Sequence, residues 1–252
     1  SRSMRDNVAA IQNSIRATAV VVSATKGLEL KTSKRMSQIL RDELTASLHS
    51  GICILSGPNL ALEIVQGKPS STVIASENPD AATAAQALIT SPRFRVYTND
   101  DVIGVEFAGA LKNIIAVGAG ICDGLSYGDN AKAAFVTRGL AEIARLGIAE
   151  GANPMTFAGL AGMGDLIATC ASPLSRNHHV GEQLAKGKSP LQILDTMNNV
   201  AEGVDTTPAA VDLAANVGVE MPITQAMFDV LFGGITLEHA ISNLLGRTPR
   251  PE

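Results

Sequence analysis

The 252-residue sequence predicts an α/β protein, in which a partial doubly wound, mostly parallel sheet over residues 1–100 precedes an all-α helical domain over residues 101–252. Three observations predict this class. Short apolar runs alternate with segments of helical periodicity in the first hundred residues, which is typical of parallel strands joined by helices. Strand signals stop near residue 101. Beyond it, helical segments follow one another and are punctuated by Gly and Pro.

The predicted elements of the first half follow in order along the chain. Apolar residues between Met4 and Ile15 recur at helical spacing, which predicts a helix that leads into the first strand. Buried strands are predicted at residues 17–22, 52–55, 72–75 and 94–97. Helices are predicted at residues 31–48 and 79–89, and another after Pro58, because proline suits the first turn of a helix. No low-complexity linker separates the two halves, so we expect a firm interface between them.

Composition excludes several classes of protein. Charged residues make up only 17% of the chain, below the ~25% of an average protein, and apolar residues make up 46%, which excludes a disordered chain. A net charge of −4 and an aromatic content of 3% predict no nucleic-acid partner. The longest nearly apolar stretch, residues 114–122, is about half of the ~20 residues that a membrane span needs, so no span is predicted.

The three cysteines, Cys53, Cys122 and Cys170, lie far apart in apolar surroundings. Without CxxC spacing they predict neither a disulfide framework nor a zinc site, and His178 and His179 have no carboxylate or cysteine at ligand spacing. We therefore predict no metal and a reducing compartment, the cytoplasm, with a plastid as the alternative.

A glycine motif for phosphate binding is missing from the sequence. No G-x-G-x-x-G follows a strand and opens a helix, and Gly159, Gly162 and Gly164 have the reversed spacing and follow no strand signal. That motif normally opens the first unit of a dinucleotide-binding (Rossmann) sheet. We therefore expect a sheet that lacks its first unit, in a chain truncated at its N-terminus.

Two isolated charges lie in apolar helical segments. Lys112 is the only charged residue between positions 106 and 123, and Asp165 is the only one between positions 150 and 176. Burial lowers the pKa of an ammonium group, so a buried lysine can act as a base near neutral pH. The alternative is a structural lysine that is paired with a carboxylate or reaches water with its head. Likewise, Lys112 and Asp165 either line one cleft or form a simple ion pair.

Two further candidates follow neighbouring predicted strands. Lys26 comes shortly after the first strand, and Ser56 and Gly57 come directly after the second. Because open α/β sheets bind ligands at the carboxyl ends of their strands, these residues are candidates for a binding site. The alternatives are an ordinary solvated lysine and an ordinary turn.

A helix start is predicted at residues 172–173 (Ser-Pro), which places Ser175, Arg176 and Asn177 in the first turn. The helix dipole disfavours a cation at that end. A bound anion would reverse this effect, because backbone N–H groups, arginine and asparagine can all donate to phosphate oxygens. The alternative is a surface arginine without a partner.

At these residues the sequence resembles the soluble NAD(P)-dependent glycerol-3-phosphate dehydrogenases. The similar segments keep the family's order and spread over nearly the whole chain, and jointly they are highly specific. They are residues 24–29, 55–58, 103–106, 109–114, 128–134, 137–142, 162–165, 175–177, 201–203 and 220–224.

The resemblance implies interconversion of sn-glycerol 3-phosphate and dihydroxyacetone phosphate by hydride transfer with NAD or NADP, which would supply glycerol 3-phosphate for glycerophospholipid synthesis. It implies a small phosphorylated substrate and allows a homodimer. It implies that Lys112 takes the proton of the C2 hydroxyl, and that Lys26 and Asp165 are further catalytic residues. The implied substrate-binding residues are Gly57, Asn59, Asn113, Thr169, Ser175, Arg176 and Asn177. The implied cofactor-binding residues are Lys26, Ala61, Arg176, Val200 and Glu202.

The sequence departs from the family pattern at two places. Asn59 and Leu60 stand where Ser or Thr followed by Phe is commoner, and the Gly-rich unit that binds pyrophosphate is missing. That unit also carries the residue that distinguishes NAD from NADP, so the preference stays open, and the chain alone is expected to bind the cofactor poorly. Two other interpretations stay open: a non-catalytic module that only folds or associates, and another β-hydroxyacid-type dehydrogenase, which would not need residues 175–177.

Overall fold

The computed structural model describes residues 2–197 and 201–248. Its N-terminal half contains a four-stranded sheet in the order β1-β2-β3-β4. The strands are β1 (Val21–Ser23), β2 (Ile52–Ser56), β3 (Ser70–Ala75) and β4 (Phe94–Asn99). The helices of this half are α1 (Met4–Ile11), α2 (Met36–Glu43), α3 (Ala61–Val65) and α4 (Pro79–Ile89). The predicted strands at residues 52–55, 72–75 and 94–97 and the helix at residues 79–89 are confirmed, and with them the α/β class, whereas the first strand, predicted at residues 17–22, begins only at Val21.

The sheet is mostly parallel, but one of its pairings is not. Strand β1 runs parallel to β2, and β3 parallel to β4, whereas β2 and β3 are antiparallel, with Leu55 opposite Ile74. Residues 57–69, which join these two strands, hold only the short helix α3. A parallel connection has to return along the full strand length, usually through a longer helix. Here Gly57, at φ +155°, turns the chain back beside β3, where a Cβ atom would lie 3.0 Å from the Cα atom of Thr72.

The helices predicted at residues 31–48 and after Pro58 differ from the structure in their boundaries. Only the middle of residues 31–48 is α-helical: Ser33 adopts a positive φ of 55°, Arg35 is the N-cap of α2, and residues Ala46–Gly51 form a 3-10 helix. Arg35 is held outside the helix because its side chain bonds to Glu106, far along the chain, at 2.6 Å. Pro58 does not begin a helix, since α3 starts at Ala61.

The described part of the C-terminal half is helical, as predicted. It includes a π-helical turn at Leu160–Gly164. The helices are α5 (Val102–Gly124), α6 (Gly128–Ala149), α7 (Pro154–Phe157), α8 (Asp165–Ala171), α9 (Arg176–Ala185), α10 (Pro190–Asp195), α11 (Glu202–Val217), α12 (Pro222–Leu231) and α13 (Leu237–Leu245).

Helix α5 is the central element of the fold. It is buried along nearly its whole length and packs against α6, α8, α9 and α11. Among the described residues it is the single unbroken helix long and apolar enough to cross a bilayer, yet 94% of its most apolar window is buried inside the protein, as in the core helix of a globular protein. Its side chains Leu111, Ile115 and Val117 have no exposed surface.

Buried and partly buried polar contacts fix the start of α5, first within its own half and then to the other half. Asp101 caps α5, because its Oδ1 accepts the Gly104 N–H at 2.8 Å, while its Oδ2 accepts the Asn153 N–H at 2.9 Å. One turn later, the buried carboxylate of Glu106 accepts the Ser37 N–H at 2.7 Å. The Glu106 contact therefore joins α5 to α2 of the other half, and the following turn of α5 lies against the end of β2.

Candidate active site

Lys112 lies in the middle of α5, where its side chain is only 7% exposed. Its Nζ atom donates to Asp165 Oδ1 at 2.6 Å and to the hydroxyl of Thr169. Asp165 and Thr169 are one turn apart on α8, so both face α5. The two charges that are isolated in the sequence are therefore direct partners in the fold.

A second lysine reaches the same carboxylate. Lys26 follows β1, and its Nζ atom donates to Asp165 Oδ2 and, at 3.1 Å, to the carbonyl oxygen of Gly57. One buried carboxylate thus holds two ammonium groups, one from the sheet and one from α5. The predicted placement of Lys26 and Gly57 at neighbouring strand ends agrees with this contact.

The environment of Lys112 lowers its pKa from the ordinary 10.5 to about 8. Burial, which disfavours the charged form, is the largest cause, and the nearby positive charge of Lys26 acts in the same direction. The charge of Asp165 and its hydrogen bond oppose both effects. Lys112 can therefore gain and lose a proton near neutral pH.

The next residue, Asn113, lies where two helices begin. Its Nδ2 donates to Glu202 Oε2 at 3.3 Å, at the first residue of α11. Asn177, in the first turn of α9, accepts the N–H of Gly203 at 2.9 Å. A Cβ atom on Gly203 would lie 2.4 Å from the Asn113 carbonyl oxygen, so glycine is needed for this approach. The starts of α9 and α11 meet beside Asn113.

Helix α9 begins later than predicted. Residues 172–173 lie before the helix, and Ser175 is its N-cap rather than a first-turn residue, because its Oγ accepts the N–H of His178 at 3.2 Å. A proline signal misplaced the start, since a serine three residues later caps the helix instead. Arg176 and Asn177 are the first two helical residues. Within the described residues, the exposed Arg176 has no ion pair or hydrogen bond through its side chain.

The strand-end loop after β2 carries further candidates. Asn59 donates through Nδ2 to Thr72 Oγ1 at 2.8 Å, while its buried Oδ1 has no partner within the described chain. The buried hydroxyl of Ser56 has no partner there either. Ala61 is exposed at the start of α3. Val200 lies outside the described residues.

Gly109 is a residue of the site that the analysis of the sequence missed. A Cβ atom there would lie 2.5 Å from Ser56 Oγ and 3.7 Å from Lys26 Cδ. The glycine, one turn before Lys112, lets α5 approach the end of β2. A glycine inside a strongly apolar helix was the visible signal, because it weakens the helix unless a close contact requires it.

The structure brings together Lys26, Lys112, Asp165, Thr169 and Gly57, and it joins Asn113 to Asn177 through the start of α11. Unsatisfied acceptors and donors near this cluster suit a polar ligand with hydroxyl groups, since buried polar atoms are normally paired. A buried lysine whose pKa is lowered to about 8 at the strand ends of an α/β sheet can serve as a proton-transfer group. Together with the fold, this arrangement favours the class of alcohol-oxidising dehydrogenases, which take NAD or NADP.

The chain belongs to the NAD-dependent glycerol-3-phosphate dehydrogenase family. The family model for the C-terminus matches residues 101–242, and the model for the N-terminus matches residues 1–82. The fold class, the type of enzyme and the cofactor that the sequence predicts are confirmed by this membership.

Curated relatives agree with the family assignment. A glycerol-3-phosphate dehydrogenase (NAD(P)+) of Dehalococcoides mccartyi is 52% identical over 245 residues, which cover 97% of this chain and 68% of the relative. A protein of the same name from Chlorobium limicola is 47% identical over 252 residues, which cover all of this chain and 76% of the relative.

Solved structures show the same fold. The crystal structure of glycerol-3-phosphate dehydrogenase from Coxiella burnetii superimposes with a TM-score of 0.91 at 35% identity and covers 98% of this chain and 75% of that one. The glycerol-3-phosphate dehydrogenase of Saccharomyces cerevisiae gives a TM-score of 0.82 at 27% identity, covering 97% of this chain and 73% of that one.

Proposed function

We propose that this chain interconverts sn-glycerol 3-phosphate and dihydroxyacetone phosphate. The observation that carries the proposal is the buried Lys112, which has a pKa of about 8 and faces Asp165 beside the start of α9. The reductive direction would supply glycerol 3-phosphate for glycerophospholipid synthesis. NAD or NADP, when bound, supplies the hydride acceptor for the hydrogen on C2.

Lys112 is proposed as the proton-transfer group. In its neutral form, Nζ accepts the proton of the C2 hydroxyl as the C2–O bond becomes a carbonyl. In the reverse direction, the ammonium form returns a proton to the carbonyl oxygen as it becomes a hydroxyl. Thr169 orients Nζ, because its hydroxyl donates to the Asp165 carbonyl at 2.7 Å and accepts from Lys112.

Lys26 and Asp165 are proposed to set the electrostatics of this step. The Lys26 ammonium keeps part of the Lys112 population neutral and stabilises negative charge on the substrate oxygen. Asp165 accepts a hydrogen bond from each ammonium group but neutralises only one of the two positive charges, so the cluster is electrically balanced when Lys112 is neutral and Lys26 is charged. The carboxylate is thus proposed to hold the lysines in place and takes no proton itself.

The phosphate of the substrate is proposed to bind at the start of α9. Ser175, Arg176 and Asn177 lie there, together with N–H groups of the first turn. Arg176 is exposed and has no protein partner within the described chain, so an anion would supply one. Gly57, Asn59 and Asn113 are proposed to contact the glycerol part, with the unpaired Asn59 Oδ1 accepting a hydroxyl.

The cofactor is proposed to contact residues around the same cleft. Lys26 and Glu202 lie beside Asp165 and Asn113, which agrees with such a role. The donors and acceptors present fit a nicotinamide ribose, because Glu202 can accept from hydroxyl groups and Lys26 can donate. The proposed cofactor residues are Lys26, Ala61, Arg176, Val200 and Glu202.

The organisation and location of the enzyme are also proposals. Residues 1–100 are proposed as the dinucleotide-binding part and residues 101–252 as the substrate part, in support of which β4 ends at Asn99 and α5 starts at Val102. Cytoplasmic location agrees with the three free, buried cysteines. A homodimer stays a prediction, which sedimentation would test.

An enzyme assay tests the proposed function. The product of the complete reading frame is incubated with dihydroxyacetone phosphate and NADH or NADPH, and cofactor oxidation is followed by absorbance. We expect saturable turnover with the phosphorylated substrate and little with dihydroxyacetone. Equal turnover of both would favour another β-hydroxyacid-type dehydrogenase, and no turnover with either cofactor would favour a non-catalytic module.

A further inference from the structure

The first turn of α9 contains a buried histidine, His178. The side chain of His178 is 7% exposed, and its Nε2 lies 2.6 Å from Asp123 Oδ2. Lys132 donates to the same oxygen at 2.6 Å. Although burial raises the pKa of Asp123, the hydrogen bonds from Lys132 and His178 outweigh it and hold the pKa below its usual value. The carboxylate is therefore ionised and accepts only, which means that His178 Nε2 carries the proton and donates it.

The backbone of α9 lies unusually close to that of α5 at this point. A Cβ atom on Gly120 would lie 1.9 Å from the carbonyl oxygen of His178, and one on Gly181 would lie 1.9 Å from the carbonyl oxygen of Val117. Two glycines, one from each helix, allow this approach. They set the distance between the helix axes, and the side chains of the first turn add further restraints on the orientation of α9.

Two consecutive side chains of α9 resist that rotation. Asn177 bonds to Gly203 at the start of α11, while His178 bonds to Asp123 near the end of α5. Successive residues of an α-helix point about 100° apart, so the two bonds hold the first turn from two directions. Arg176, immediately before them, is left facing outward.

We infer that His178 is a positioning residue, whose hydrogen bond to Asp123 fixes the orientation of the first turn of α9 and so keeps Arg176 and Asn177 aligned with Lys112. The inference rests on the proposed function, since it is the substrate's phosphate that this turn would hold. Helix α5 carries both Lys112 and Asp123. The proton-transfer group and the support of the phosphate site therefore belong to one rigid element.

The alternative is a purely structural bond that stabilises the fold and affects nothing else. The two cases differ in which kinetic constant changes. A misoriented first turn weakens the hold on phosphate and raises KM for the phosphorylated substrate, while the chemistry at Lys112 continues. A structural bond changes thermal stability and leaves KM of the folded protein unaltered.

The experiment compares three variants in the product of the complete reading frame. His178→Leu removes the donor at similar volume, and His178→Gln keeps an N–H group near the position of Nε2. The matched control is His179→Leu, because His179 is the neighbouring residue but is 53% exposed. KM and kcat are measured for glycerol 3-phosphate and for glycerol, and binding of inorganic phosphate is measured by calorimetry.

We expect His178→Leu to raise KM for glycerol 3-phosphate and the Kd of inorganic phosphate by about 5- to 20-fold, part of the value of one charge-assisted hydrogen bond. Turnover at saturation and glycerol kinetics should change by less than about twofold, because Lys112 is untouched. His178→Gln should recover most of the loss, and His179→Leu should resemble wild type.

If His178→Leu does not fold, Asp123→Ala replaces it, because this carboxylate is 36% exposed and its loss leaves no buried charge. It should show the same change in phosphate affinity. Unchanged phosphate affinity in a folded variant, or equal losses for glycerol and glycerol 3-phosphate, would overturn the inference and leave the proposed function standing. Wild type without turnover would instead overturn the proposed function, while calorimetry with inorganic phosphate would still decide the role of His178.

Discussion

The Nζ atom of Lys112 lies 2.6 Å from Oδ1 of Asp165, although 53 positions separate the two residues in the chain. Both residues are shielded from bulk water, since Lys112 is 6% and Asp165 1% exposed. Burial lowers the pKa of Lys112 and the carboxylate of Asp165 raises it in part, so that the pKa of Lys112 lies at about 8, in the range that is useful for proton transfer.

Replacing Lys112 by methionine should abolish turnover and preserve the fold. Methionine keeps an apolar stem of similar size, and Asp165 retains Lys26 as its counter-ion, so no buried charge is left unpaired. Loss of a general base costs ~10²–10⁴-fold in kcat. Steady-state kinetics and circular dichroism check the two parts. Near-wild-type kcat in a folded variant would show that Lys112 is only a structural lysine.

Oxidation of glycerol 3-phosphate should become faster as the pH rises towards 8. The base must be neutral to accept a proton, and Lys112 loses its own proton around its pKa of about 8. Below that value kcat/KM should fall about tenfold per pH unit, and above it the rate should level off. Reduction of dihydroxyacetone phosphate needs the ammonium form, so its rate should fall above pH 8. Profiles of both directions that are flat across pH 7 to 9 would contradict the assignment.

Replacing Asp165 by asparagine should move the oxidation profile to lower pH. The carboxylate raises the pKa of Lys112, so its removal leaves burial and the charge of Lys26 unopposed. The neutral form of Lys112 should then persist at lower pH, although the loss of orientation lowers the maximum rate. The measurement is kcat/KM against pH beside the control Asp229→Asn, whose carboxylate accepts a hydrogen bond from Gln225 on α12, away from Lys112. A midpoint that moves upward would contradict the proposed charge balance.

Much of the fold could be predicted because local signals decide it. Helix α4 begins and ends where the sequence indicates, since Asn78 caps it and Pro79 occupies the first turn. The start of α2 could not be predicted in this way, because Arg35 is held outside the helix by Glu106 from the other half. The antiparallel direction of β3 could not be predicted either, since an apolar run has the same pattern in both directions.

The sequence predicted that Lys112 and Asp165 could lie together, but it did not predict the geometry of their contact. The isolation of Lys112 and Asp165 in apolar segments indicated buried charges, and the resemblance supplied their partners. Sequence spacing carries no information on which lysine meets which carboxylate oxygen, because α5, α8 and the loop after β1 meet only in the packed fold. The support of α9 by His178 was missed for the same reason, since Asp123 lies far away in the sequence.

Replacing Gly181 by alanine should destabilise the protein strongly. The added Cβ atom would lie 1.9 Å from the Val117 carbonyl oxygen, so α9 has to move away from α5. We expect a loss of about 3 kcal/mol or more in the free energy of unfolding, measured by urea denaturation. The control is Gly164→Ala, where the nearest heavy atom beyond the helix's own backbone would be 3.6 Å away, an ordinary contact. Equal stability of the two variants would show that the helices are less tightly packed than described.

Replacing Arg176 by alanine should weaken the hold on phosphate and spare the proton transfer. Arg176 is the first residue of α9, where the helix dipole disfavours a cation unless an anion completes the site. Loss of a charge-assisted contact is expected to cost about 1.5–3 kcal/mol, or roughly 10- to 150-fold, in kcat/KM for glycerol 3-phosphate. The loss in kcat/KM for glycerol should be far smaller, because glycerol has no phosphate for Arg176 to contact.

Two controls separate charge from geometry at this position. Arg176→Lys keeps the charge but not the planar fork of donors, so it should recover only part of the affinity. Arg16→Ala removes an exposed arginine from the segment before β1 and should leave kcat/KM unchanged for both glycerol 3-phosphate and glycerol. Equal losses for glycerol and glycerol 3-phosphate in Arg176→Ala would mean that Arg176 supports the fold or the cofactor. The proposal that residues 175–177 bind phosphate would then have to be withdrawn.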